Sequence, residues 1–92
     1  MNTPRIKAVE PLEEKRLLVT FDNEVRKIYD CRDILELERF QLLHRDAFFR
    51  AVKVDPGGYG VSWNDDMDLS EYELWTHGVE LEHTALMSSQ ST

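Results

Sequence analysis

Asn64, Asp66 and Asp68 alternate in the pattern that opens a calcium loop, where a hard cation collects oxygen ligands from one side of a turn. The rest of that loop is missing, because its sixth position needs glycine and is Leu69, and its twelfth needs a bidentate glutamate and is Trp75. Asp65, Asp66 and Asp68 therefore read as an acidic rim on a solvated turn, and they are the candidate partner-binding residues. A small metal-dependent hydrolase using this turn and a nearby histidine is the alternative chemistry. His44, His77 and His83 lie far apart, with no H-x-x-x-H or cysteine pairing, so their spacing encodes no zinc site. Cys31 is the single cysteine; it reads as a small buried residue, since a nucleophile would need a neighbouring histidine and surroundings that favour the thiolate. No Gly-x-Ser-x-Gly, P-loop or dinucleotide fingerprint is present. The residues thus assign no catalytic group, metal ligand or cofactor, and a non-enzymatic role is expected.

Charge gives a direction to that role. All 11 lysines and arginines lie between Arg5 and Lys53, whereas eight acidic residues and no base follow from Val54 onward. A one-sided negative field attracts a basic partner and repels nucleic acid. Lys15-Arg16 and Arg26-Lys27 could meet across a hairpin as a small positive patch, but a pI near 4.8 argues against direct nucleic-acid binding. An adaptor in a transcriptional complex remains a further reading. Trp63 and Trp75, with Tyr59 and Tyr72, cluster in the acidic part. Large rings are expected in the core, but a tryptophan exposed beside the acidic rim would make an interface anchor, so both join the candidate residues.

These residues must be positioned by a chain of 92 residues, enough for one domain burying roughly 60–65% of its unfolded surface. With 41% hydrophobic and 32% charged residues the composition is that of a globular domain rather than a disordered chain. A single domain over residues 1–82 and a frayed Ser/Thr-rich tail over 83–92 are expected. The N-terminal residues lack the apolar core of a secretory signal and no apolar run reaches transmembrane length, which makes the cytoplasm the expected compartment. Homo-oligomerisation is left open.

The positioning elements follow from periodicity. Ile6 to Val9 is a short edge strand stopped by Pro11. Lys15 to Phe21 places Leu17, Val19 and Phe21 on one face, the period of two that a strand requires. Asp22-Asn23-Glu24 turns the chain, and Val25 to Tyr29 returns beside it. From Asp30 to Phe49 the apolar spacing fits neither a long helix nor a strand, so helical turns joined by loops are expected. There Asp30 caps a turn through Cys31-Arg32-Asp33, Ile34, Leu35 and Leu37 face the sheet, and Leu42, Leu43, Phe48 and Phe49 anchor a lid. Ala51 to Val54 and Tyr59 to Trp63 form a second hairpin about Pro56-Gly57-Gly58, with Tyr59, Val61 and Trp63 on one face.

Three signals mark the start of a short C-terminal helix. Ser70 and Glu73 have capping-box spacing, Leu69 and Leu74 stand where a hydrophobic staple requires them, and Glu71 and Glu73 fall in the first turn. His77 and Gly78 suit its end, after about two turns.

Leu18-Val19-Thr20-Phe21-Asp22-Asn23-x-Val25-Arg26, Phe49-x-x-Val52-x-Val54-Asp55 and Val61-Ser62-Trp63-Asn64-x-x-x-Asp68-Leu69-Ser70-x-x-x-Leu74 together resemble a small bacterial family, domain of unknown function 2442. The resemblance runs from Ile6 to Gly78. Members usually carry a glycine in the first hairpin turn and Asn-Gly after the tryptophan, where this chain has Asn23-Glu24 and Asn64-Asp65. The resemblance implies a compact α+β domain with an antiparallel sheet, and relatives whose genes often lie beside small toxin-like or uncharacterised partners. It implies no catalytic residues. The combined expectation is an α+β domain with an antiparallel sheet of about five strands, a meander plus a hairpin, a partly helical middle and a short capped C-terminal helix. Its expected role is that of a protein-interaction module whose acidic part docks a small basic protein in an antitoxin-like manner.

Overall fold

The computed structural model describes residues 3–81, so the tail expected at 83–92 lies outside the described residues. Strand β1 (Ile6–Leu12) runs through Pro11 rather than stopping before it. Pro11 sits on an edge strand opposite Leu17, a place in a sheet that tolerates a residue with no N–H to donate. Strands β2 (Arg16–Phe21) and β3 (Arg26–Asp30) follow as an antiparallel meander. Leu17, Val19 and Phe21 are fully buried, as their alternation requires.

The β2–β3 turn closes with the Phe21 N–H donating to Val25 O at 2.9 Å and the Glu24 N–H to Phe21 O at 3.0 Å. Glu24 takes the left-handed conformation, at φ 73°, in a turn that contains no glycine. The β1–β2 connection contains a second departure, with Glu14 at φ 63° and Lys15 at φ 59°.

The middle segment consists of 3-10 turns at Ile34–Glu36 and Glu38–His44, followed by a single α turn, α1 (Asp46–Phe49). Three residues per turn put Phe40 and Leu43 together on the buried side and leave Leu42 outside. Leu35 and Phe49 are also buried and Phe48 packs partly against the core. Leu37, expected to face the sheet, is instead 50% exposed. Asp30 does cap the preceding turn: its Oδ1 accepts from the Arg32 N–H at 2.9 Å while the Arg32 guanidinium grips the same carboxylate.

Strand β4 is short (Lys53–Val54) and pairs with β5 (Gly60–Asn64), which pairs in turn with β6 (Met67–Ser70). The connecting turn uses Gly57 and Gly58 at φ 80° and 76°, and a Cβ on Gly58 would meet Ile6 O at 2.5 Å. Tyr59 precedes β5 rather than sharing its inner face. Its ring lies exposed beneath the Arg5 guanidinium, 3.8 Å from the centroid. Helix α2 (Glu71–His77) spans two turns, with the Glu73 N–H donating to Ser70 Oγ at 3.1 Å and Leu69 and Leu74 both buried.

After α2 a short strand, β7 (Val79–Glu80), pairs antiparallel with β3, an element that no sequence pattern announced. Gly78 joins the two with extended backbone. A Cβ there would lie 2.6 Å from Leu74 O, so glycine serves close approach rather than a left-handed cap.

The architecture is α+β and antiparallel with a short capped C-terminal helix, as expected. Its strands divide between a four-stranded sheet, ordered β1-β2-β3-β7, and a three-stranded sheet, ordered β4-β5-β6. One core unites them, drawing Leu17, Val19 and Phe21 from β2, Val61 and Trp63 from β5 and Leu74 from α2.

Candidate functional site

The β5–β6 hairpin carries the acidic rim. Its turn is held by Asn64 Oδ1, which accepts from the backbone N–H groups of Asp66 at 2.8 Å and Met67 at 2.9 Å. The oxygen that a calcium loop would aim at a cation is thus engaged by its own turn. Asp65 and Asp66 are exposed at the tip, and Asp68 points away from the core because its neighbours Met67 and Leu69 are buried. Among the described residues, no group of three or more His, Cys, Asp or Glu is arranged to hold a metal ion.

The tryptophans do not join that rim as exposed anchors. Trp63 is only 6% exposed; its Nε1 donates to Phe49 O at 2.9 Å and its ring stacks on Phe49 with centroids 6.1 Å apart. Of the partner-binding candidates, Trp63 is therefore a core residue, fastening the middle segment to β5. Trp75 is half-buried, edge-on to Phe21 at 5.0 Å, with the Lys27 ammonium 3.9 Å above its ring. Lys27 also donates to Trp75 O, so this tryptophan is covered by a cation from β3.

The concave surface lies elsewhere, between the middle segment and the β6–α2 junction. Ile34, Leu37, Arg39 and Phe40 line one side of a groove of about 430 Å³, with the Arg39 guanidinium 4.8 Å from the Phe40 ring centroid, and Asp68, Leu69, Ser70 and Glu73 line the other. Ile34 and Glu73 also border an adjoining hollow of about 290 Å³, whose remaining walls include Tyr29, Asp30, Asp33 and His77. A wall of Ile34, Leu37 and Phe40 that also carries Arg39 thus faces the Asp68 and Glu73 carboxylates across the groove. Of the sequence candidates, Asp68 alone lines it. The groove was not legible from spacing, since it joins the 3-10 turns to β6 and α2, which are distant in the chain.

Glu73 is central to its geometry. Its Oε2 accepts the Tyr29 phenol proton at 2.8 Å and lies 3.4 Å from His77 Nδ1. The capping box is therefore half made: Ser70 caps the Glu73 N–H, but the glutamate side chain turns to Tyr29 instead of back to the Ser70 N–H. Burial, reinforced by the hydrogen bond and the Glu73 charge, pushes the Tyr29 hydroxyl well above the ordinary phenol range. Tyr29 thus stays a proton donor, and Glu73 presents its carboxylate from a fixed position.

The other candidates fall away from this site. Cys31 is fully buried, and burial followed by the nearby Asp30 charge pushes its thiol up to about 12, which keeps it protonated. His44 is exposed with Nε2 3.3 Å from Leu35 O, and His83 lies outside the described residues. A basic patch from Lys15-Arg16 and Arg26-Lys27 does not assemble: Arg16 pairs with Asp30 and Arg26 with Thr20, at opposite ends of the strands. Lys15 turns toward Asp46 at 3.7 Å, and Lys27 toward Trp75.

A family profile described as a protein of unknown function, DUF2442, matches residues 6–80. The chain belongs to the DUF2442 family. No curated protein and no solved structure matches it. For this DUF2442 chain the matched span takes in all seven strands and α2, so the groove is built wholly from family residues. No helix among the described residues is long and apolar enough to cross a membrane.

Proposed function

We propose that this DUF2442 domain is a non-enzymatic docking module for a basic protein segment, received in the groove between the middle segment and the β6–α2 junction. The observation that carries the reading is the half-exposed Leu37, beside Ile34, Phe40 and, among the described residues, a single cation, Arg39, facing Asp68 and Glu73. Such a surface suits a segment that inserts an apolar side chain while its lysines or arginines meet the rim. The eight unanswered acids after Lys53 add a steering field, and Asp65 and Asp66 at the hairpin tip extend it. A toxin-like product of a neighbouring gene, of the kind the family resemblance implies, is the partner class that fits this chemistry. The acidic tip thus serves encounter and the groove serves capture.

The test is affinity capture from host lysate at low and high salt with the wild type, Leu37→Asp and an Asp68→Lys variant. A basic protein retained by the wild type at low salt and missing from both variants supports the reading. Equal recovery of the same proteins by all three removes it.

A further inference from the structure

The registers of the four-stranded sheet leave a second, outward surface that the core does not use. Leu17, Val19, Phe21 and Tyr29 point inward and are buried, so the alternate residues of β2 and β3 point outward. Across that face Glu10, Leu18, Ile28 and Val79 stand directly opposite one another, on β1, β2, β3 and β7 in turn. Leu18 and Ile28 remain partly exposed, and Val79 is 68% exposed. A recess of about 320 Å³ opens beside them, bordered by Arg16, Asp30, Arg32 and Leu81. Three apolar residues in one cross-strand row, on a sheet face that no element among the described residues covers, form a patch of the kind that marks an interaction surface.

We propose that this face joins two copies of the chain, sheet against sheet, in a closed twofold dimer. The charge distribution selects a second copy as the occupant. The outward face and its recess carry Arg16, Arg26 and Arg32 against Glu10, Asp30 and Glu80, a balance in a chain whose net charge is −7. Two copies therefore repel each other least when they approach through this side. The face is also complementary to itself. Asp30 and Arg26 flank Ile28 at equal spacing on β3, while Arg16 lies beside Asp30 on β2. A twofold axis between the sheets and perpendicular to the strands sets Arg26 of one copy over Asp30 of the other, with Ile28 against Ile28. An axis parallel to the strands sets Arg16 over Asp30, with Leu18 against Ile28. Either isologous arrangement pairs opposite charges around a shared apolar row and closes without propagating.

Four strands at about 4.8 Å spacing make a narrow face, so the buried area falls at the low end of interfaces, below ~1,200 Å² in total. Association is weak and concentration-dependent. The dimer leaves the groove free, because the groove is built on the inward side from the middle segment, β6 and α2.

Sedimentation equilibrium across micromolar to millimolar protein tests this. The apparent mass should rise from 10.8 kDa toward twice that value. Val79→Lys, on a side chain the fold does not bury, and Ile28→Lys should hold the monomer mass at every concentration while circular dichroism stays native. Asp30→Arg should weaken association about tenfold. Addition of Arg26→Asp or Arg16→Asp should restore it, and the one that does so identifies the axis. A chain that stays monomeric throughout, or a dimer that persists in both Val79→Lys and Ile28→Lys, overturns the proposal. Leu37→Asp should leave the dimer intact, which separates this surface from the groove.

Discussion

The Tyr29 hydroxyl on β3 donates a 2.8 Å hydrogen bond to the Glu73 carboxylate on α2, linking a four-stranded sheet to the helix that follows the three-stranded one. The bond ties to the sheet a helix whose Glu73 lines the groove. Tyr29→Phe removes the donor while keeping the ring, leaving a half-exposed carboxylate with His77 as its remaining neighbour. The expected loss is about 1 kcal/mol, read as a fall of roughly 4–8 °C in Tm for a domain of this size. Glu73→Gln preserves an acceptor for the phenol and should lose less. Equal loss in the two variants would mean that the charge of Glu73, not its geometry, is what matters.

Alkaline pH probes the same corner of the core. Cys31 ordinarily ionises near 9.0 and Tyr29 near 10.0; burial raises the first to about 12 and the second further still. The folded chain therefore keeps protons that the unfolded chain releases. The stability tied to these groups is fully present below pH 9 and declines as pH rises above it, by up to about 1.4 kcal/mol per pH unit for each titrating group. Urea midpoints measured between about pH 8 and pH 11 should fall with that curvature. Cys31→Ala should be less stable at neutral pH, because it opens a small cavity, yet show a shallower alkaline decline. A parallel decline in wild type and variant would show that Cys31 does not contribute.

Glu24 is strained by its turn. A non-glycine residue at φ 73° carries a left-handed penalty of roughly 1 kcal/mol, and the ion pair it makes with Lys7 at 3.1 Å is solvent-exposed and worth at most about 1 kcal/mol, with many such pairs contributing nothing measurable. Glu24→Gly should therefore stabilise the domain by about 0.5 kcal/mol despite the added freedom of the unfolded chain. Thermal melting of the variant beside Lys7→Ala separates the two contributions. A lower Tm for Glu24→Gly would mean that the ion pair outweighs the strain.

These cases mark where the sequence could be read and where it could not. Leu17, Val19 and Phe21 reveal their strand because one face is dry and the period is two, and Ser70 reveals its helix because a cap is a local hydrogen bond. Phe40 was missed and Leu37 misplaced because 3-10 turns shift the inward face by three residues instead of the helical pattern. Tyr59 alternates correctly with Val61 and Trp63, but the chain reaches β5 only at Gly60, and Arg5, distant in sequence, takes its ring. Strand β7 is two residues long, too short to show any period. The acidic character of the C-terminal part was legible from composition. The groove was not, because its wall comes from the exposed Leu37 and the partly buried Ile34, which only the fold places opposite Asp68 and Glu73.

Leu37 offers the cleanest separation of fold from function. Its side chain is half exposed and it is followed by turns anchored on Phe40 and Leu43, so the core does not depend on it. Leu37→Asp should change stability by no more than about 0.5 kcal/mol, whereas Phe40→Ala, at a fully buried ring, should lose about 3–5 kcal/mol. In binding the order reverses. If the groove seats an apolar anchor, Leu37→Asp abolishes capture of the basic partner at low salt while the protein melts normally. Charge reversal at Asp65 and Asp66 should instead slow association and flatten its salt dependence, leaving dissociation nearly unchanged, because those residues lie on the hairpin tip outside the groove. Surface plasmon resonance at two ionic strengths distinguishes the two effects. Unaltered dissociation in Leu37→Asp would place the partner elsewhere on the acidic surface.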